Sequence, residues 1–161
     1  MADYISYART NYFKVKDPEA FKDAAGHFGI DIITHTPEKE FDEDPEPEIL
    51  YGLIYDSAHN EYIYLDEDVS SEDILKLFGQ KVDPKTSDSI EVSFTDFMKH
   101  HLADGEVAVY MEIGYEKMRY LVGVAIAVHS DGRAIYSNLS DIYEEAQKQF
   151  GLDEEPSLAE Y

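Results

Sequence analysis

The chain has 161 residues, with thirty-five Asp and Glu against thirteen Lys and Arg, a formal net charge of −22, and no cysteine. That balance excludes disulfides and thiolate chemistry, and it sets the molecule against nucleic-acid phosphates and anionic lipid as direct partners. Yet 43% of residues are apolar and 13% are Phe or Tyr, the composition of a chain that folds and not of an acidic disordered tail.

In chain order, Tyr4 to Lys16 reads as a strand rich in Tyr, Ile, Phe, Thr and Val, with Phe13 and Val15 turned one way and Tyr12 and Lys14 the other. Arg9, Lys14, Lys16 and Lys22 also make this the most basic stretch. Asp17-Pro18-Glu19 supplies an N-cap, a proline at N1 and a first-turn acid. Phe21, Ala24, Ala25 and Phe28 mark the apolar face of the helix that follows, and Gly29 stops it. Ile30 to Thr34 is a short strand. Glu38 to Glu48, acid-rich and broken by two prolines, predicts a solvated loop.

Ile49–Tyr55 and Tyr62–Leu65 flank the turn formers DSAHNE and predict an aromatic β-hairpin with a long loop. Ser70 and Asp73 form an acidic capping box ahead of a short helix carrying Ile74, Leu75 and Phe78, closed by Gly79. Gln80 to Ser89 is polar and predicts irregular chain. Thr95 is the expected cap of a helix carrying Phe97, Met98, His101 and Leu102. Glu106–Ile113, Arg119–Val128 and Arg133–Ser137 predict three consecutive strands, the last two joined by Asp131-Gly132. The middle one is apolar on both faces, which predicts a central position. Asn138 or Ser140 caps a last helix with Ile142, Tyr143, Ala146 and Phe150 on one face and Gly151 at its end.

Short connections between neighbouring strands predict an α+β fold: a single domain over residues 1–151, a largely antiparallel sheet with three to four helices packed mainly on one face, and a frayed acidic tail over 152–161. No apolar run approaches the roughly 20 residues of a membrane span, and MADYISYART lacks the apolar core of a secretory leader. A cytoplasmic location is the expectation.

The chemistry-bearing residues form no recognised site. Asp66-Glu67-Asp68-Val69-Ser70-Ser71 has a serine where a calcium loop needs glycine, and a proline interrupts Asp42-Glu43-Asp44-Pro45-Glu46. His100 and His101 are adjacent, so on a helix they diverge by about 100°. No nucleophile elbow, phosphate loop or dinucleotide fingerprint is present. No catalytic, metal or cofactor residue is assigned. Thirteen tyrosines support two readings: cross-strand packing, or anchors of a contact surface.

The segments YARTNYFKVKDPEAF, GEVAVYMEIGYEKMRYLVGVAIAV and SDIYEEA resemble uncharacterised acidic proteins carried by phages and plasmids, of the anti-restriction and anti-CRISPR type. Several proteins of that type imitate DNA. The resemblance implies an inhibitor that occupies a cationic nucleic-acid-binding surface of a host defence protein. It supplies no functional residue, and the basic stretch at Arg9 to Lys22 departs from a pure DNA imitator. The expected partner-facing residues come from the acidic runs and the tyrosines between them: Glu38, Glu40, Asp42, Glu43, Asp44, Glu46, Glu48, Tyr51, Tyr55, Tyr62, Tyr64, Asp66, Glu67, Asp68, Glu72 and Asp73. An immunity protein against a basic nuclease toxin, or a small enzyme, are the alternatives.

Overall fold

The computed structural model describes residues 4–41, 45–55, 62–65, 70–79, 90–116, 120–154 and 156. The elements are β1 (Tyr4–Thr10), α1 (Pro18–His27), β2 (Asp31–His35), β3 (Leu50–Tyr55), β4 (Tyr62–Leu65), α2 (Ser71–Phe78), β5 (Ile90–Ser93), α3 (Phe94–His101), β6 (Val107–Glu116), β7 (Tyr120–His129), β8 (Ala134–Asn138) and α4 (Asp141–Phe150). Six strands form one antiparallel sheet in the order β2-β3-β1-β6-β7-β8, and β4 pairs with β5 in a separate two-stranded ribbon. This is the α+β single domain that the sequence predicts.

Local chemistry explains the helices. The Asp17 carboxylate accepts from the amides of Glu19 and Ala20, and Pro18 opens α1, so two amides without helical partners are satisfied at the start. Ser70 accepts from the Asp73 amide, and Gly79 closes α2 at φ 66°. The buried stripe of α2 is Ile74, Leu77 and Phe78, with Leu75 on the exposed side. α3 is capped by Ser93 and not by Thr95: the Ser93 Oγ accepts from the Asp96 amide at 3.0 Å, which starts the helix one residue before Thr95.

One predicted pairing and one predicted strand position are corrected. β3 and β4 do not form a hairpin: β3 lies between β1 and β2, whereas β4 pairs with β5, a strand the sequence reading missed. β7 is interior but next to the edge strand β8, and β1 and β6 hold the middle. The β6–β7–β8 meander and its Asp131-Gly132 turn are as predicted, with Gly132 at φ 93°.

One hydrophobic cluster joins the sheet to the helices. Phe21 of α1 stacks on Phe97 of α3 at 5.7 Å, meets Phe13 edge-on at 5.9 Å, and packs with Tyr51 of β3. Leu53, Ala108, Tyr110, Ile126 and Val128 bring the sheet's inner face to the same cluster, with Ile74, Leu77 and Phe78 from α2. α1, α2 and α3 therefore cover one side of the sheet. Among the described side chains, none from α4 belongs to this cluster. Among the described residues no helix is long and apolar enough to cross a membrane.

Candidate partner-binding surface

The sequence places its candidate residues in two acidic runs and the tyrosines between them. In the structure, Glu38, Glu40, Glu46 and Glu48 are exposed along the connection between β2 and β3. Two of them are tied down: Lys39 Nζ donates to Glu46 at 2.7 Å, and Lys14 pairs with Glu48. Glu72 and Asp73 are exposed in the first turn of α2, where negative charge complements the helix dipole. Asp73 also accepts the Ser70 hydroxyl at 2.6 Å, so this carboxylate serves the fold as well as the surface. Asp42, Glu43, Asp44, Asp66, Glu67 and Asp68 lie outside the described residues.

The tyrosines do not assemble as expected. Tyr51 is only 5% exposed and packs edge-on against Phe21, which makes it core and not a contact anchor. Tyr55 lies on β3, whereas Tyr62 and Tyr64 lie on β4, which belongs to the other ribbon. Their side chains fall outside the described residues.

The basic stretch also disperses. Lys22 pairs with Glu19 at 2.9 Å, Lys16 approaches Asp104 at 3.9 Å, and Lys14 is on Glu48. The hydrogen bond to Glu48 raises the Lys14 pKa, and the bond to Glu19 does the same for Lys22. The Arg9 guanidinium sits 5.5 Å from the centre of the Tyr12 ring. Alternation along an extended strand, followed by a helix, turns these cations in different directions and leaves each beside a local neighbour.

The histidines have structural partners. The ring Nε2 atoms of His100 and His101 lie 2.9 and 2.6 Å from the carbonyl oxygens of Lys76 and Leu77, in the last turn of α2. Both rings thus serve carbonyls that the helix leaves without an internal donor. Burial against Phe21 and Phe97 pushes the His101 pKa down to about 4, although the Leu77 carbonyl favours the charged form. Among the described residues no three His, Asp or Glu converge as metal ligands. Glu112 is buried on β6, where its carboxylate accepts the Tyr110 hydroxyl at 2.8 Å.

Elsewhere the acids stay outside. Of the acidic side chains described, all but Glu106 and Glu112 are exposed. If every Lys and Arg held one carboxylate, twenty-two carboxylates would still lack a cation.

Sequence reasoning missed the most unusual surface of the molecule. Ile5 and Tyr7 of β1, Ile54 of β3, and Met111 and Ile113 of β6 stand exposed together on the face of the sheet opposite the helices. The missed signal was that one alternating row of β6, Val107, Val109, Met111, Ile113 and Tyr115, is apolar throughout, whereas the other carries Glu112 and Glu116. No protein-family model, curated protein or solved structure matches this chain.

Proposed function

We propose that the chain is a binding protein that occupies a cationic, nucleic-acid-binding surface of another protein. The observation that carries this reading is the acid excess: Asp and Glu outnumber Lys and Arg by twenty-two, on a frame with a continuous aromatic core. Self-repulsion at this charge destabilises a compact chain, and a cationic partner relieves it. Duplex DNA presents one phosphate charge about every 1.7 Å of its axis, and a protein surface evolved to hold that density also attracts a dense carboxylate surface. The resemblance to anti-restriction and anti-CRISPR proteins directs the proposal towards a nuclease or nucleoprotein of host defence. Glu38, Glu40, Glu46, Glu48, Glu72 and Asp73 are the described exposed acids proposed to face it.

The test is competition. The immobilised protein should retain a basic, nucleic-acid-binding protein from a bacterial lysate at low salt, and duplex DNA or raised salt should release it. A variant with Glu38, Glu40, Glu46 and Glu48 changed to Gln should bind that protein at least about tenfold more weakly, since each lost charge contact weakens a polyelectrolyte-like association. Unchanged retention by this variant, or retention that DNA does not compete, would defeat the proposal.

A further inference from the structure

The exposed face of the six-stranded sheet is greasier than a solvent face needs to be. Register puts Ile5, Tyr7 and Arg9 of β1 opposite Tyr115, Ile113 and Met111 of β6, and the inward row of the same strands is Ser6, Ala8 and Thr10 opposite Gly114, Glu112 and Tyr110. Both strands therefore turn their more apolar row outward. Ile113 is 64% exposed and Met111 is 58% exposed. With Tyr7 and Ile54 they line a concavity of about 540 Å³.

Among the described residues the concavity also carries little of the charge that covers the rest of the chain. Asp31 and Arg9, both aligned with Ile54 through the register of β2, β3 and β1, are the charged residues around that concavity. A cationic partner would find little here to attract it. A second copy of this chain, by contrast, can approach a neutral face without bringing carboxylate against carboxylate.

The chain itself carries a convex counterpart. α4 is amphipathic, yet Ile142 and Phe150 are exposed, Phe150 to 75%. The chain enters α4 on the open side of the sheet. Gly123 pairs with Ile113, so both face that way, and the Leu139 side chain lies over Gly123, its Cγ 2.5 Å from where a β-carbon would stand. A helix about 10 Å across suits a sheet concavity, and Ile142, Ala146 and Phe150 follow one another along α4 at the i, i+4 step that helix-in-groove contacts use. The six strands hold 43 residues, which at about 3.3 Å by 4.8 Å each give a sheet face of about 680 Å², and the exposed side of α4 adds to it towards the roughly 800 Å² per partner of a stable interface.

We propose that this face is a homodimer interface, in which α4 of each copy lies on the open sheet face of the other with Ile142 and Phe150 directed towards Met111 and Ile113. The contact is reciprocal, and it is independent of the carboxylate surface assigned to a cationic partner. Salt distinguishes the two. Dimerisation of a −22 chain strengthens as salt screens repulsion, whereas capture of a cationic partner weakens.

The experiment is sedimentation equilibrium of the full chain across a concentration series, at low and high sodium chloride. A monomer–dimer equilibrium that tightens with salt is expected. Phe150→Asp on the helix and Ile113→Lys on the sheet should each raise the dissociation constant at least about tenfold, as loss of a central anchor does. Mixing the two variants should restore a heterodimer, because one intact helix then meets one intact sheet face. Circular dichroism checks the fold, and Ile142→Asp and Met111→Lys stand in where a first variant unfolds. A monomer under all conditions overturns the proposal. So does a dimer that Phe150→Asp leaves intact, or a variant pair that fails to complement.

Discussion

The two faces of the central sheet are made from the same strands, and their roles are opposite to what their polarity suggests. The face under α1, α2 and α3 contains Ser6, Thr10 and Glu112, with the Tyr110 hydroxyl on Glu112 and the Thr10 hydroxyl accepting from the Leu53 amide at 2.8 Å. The opposite face presents Tyr7, Met111 and Ile113. Burial on the first face tolerates polar atoms because most of them find partners; the Ser6 hydroxyl is without one among the described residues. The second face has exposed apolar side chains, on the side of the sheet away from α1, α2 and α3. Along β1 and β6, hydrophobicity alone therefore does not identify the core. What identifies it is the aromatic cluster of Phe13, Phe21, Phe94 and Phe97, which supplies the area to be buried against the sheet.

Truncation separates the faces most sharply. Phe97 is fully buried and touches Phe21, Phe28 and His101. Phe97→Ala should lower unfolding stability by about 3–5 kcal/mol, the range for aromatic truncation in a core. Ile113→Ala, measured at concentrations where the chain is monomeric, should change it by less than about 0.5 kcal/mol. Urea denaturation followed by circular dichroism checks both. Comparable losses at the two sites would show that the outer face is covered within one copy.

A second distinction is pH dependence. His101 belongs to the covered side, and its folded pKa of about 4 lies below the ordinary value of 6.5. Between these values the unfolded chain binds a proton that the folded chain does not, so this residue makes stability fall as pH drops from about 6.5 towards 4. At about 1.4 kcal/mol per pKa unit, the full loss is about 3 kcal/mol. His101→Gln removes the titration. The stability difference between the native chain and the variant should then narrow in favour of the variant across that window, with the titrating acids common to both. A difference that is flat from pH 7 to 4 would place the imidazole in contact with water.

Elements were legible in the sequence wherever a local interaction fixes them. Asp17-Pro18, Ser70 with Asp73, and Asp131-Gly132 each act within a few residues, and each appears as predicted. Pairing was less legible, because β3 finds β1 and β2 through the buried contacts of Tyr51 and Leu53, which are not encoded next to them. The same holds for the candidate surface. Glu38, Glu40, Glu46 and Glu48 share a connection because they are close in sequence, whereas Tyr51 turned inward because its neighbour in space is Phe21. The orientation of β6 was hidden because its one carboxylate before the strand's final Glu116, that of Glu112, is buried in the core.

Gly123 reports how α4 is attached to the open side. A β-carbon there would stand 2.5 Å from Leu139 Cγ, so Gly123→Ala must push Leu139 aside. A loss of about 1–3 kcal/mol is expected, as for other overpacked positions. Leu139→Ala should remove most of that penalty, giving a coupling of about 1 kcal/mol in a double-mutant cycle. Additive losses would mean that Leu139 does not lie over the sheet, and the route of the chain into α4 would need to be redrawn.

The smallest effect concerns the start of α3, the helix that brings Phe97 and His101 to the covered face. Ser93 accepts from the Asp96 amide and donates to its carboxylate at 2.9 Å, whereas the Thr95 hydroxyl is 2.9 Å from the Tyr136 hydroxyl on β8. Ser93→Ala should therefore cost about 1 kcal/mol, the usual loss for an N-cap. Thr95→Ala should stay within about 0.5 kcal/mol, because alanine's better helix propensity offsets one partly exposed hydrogen bond. The reverse order would move the cap to Thr95 and shorten the helix by its first residues. Phe94, now fully inside the core beside Tyr110 at 5.1 Å, would then belong to the strand and not to the helix.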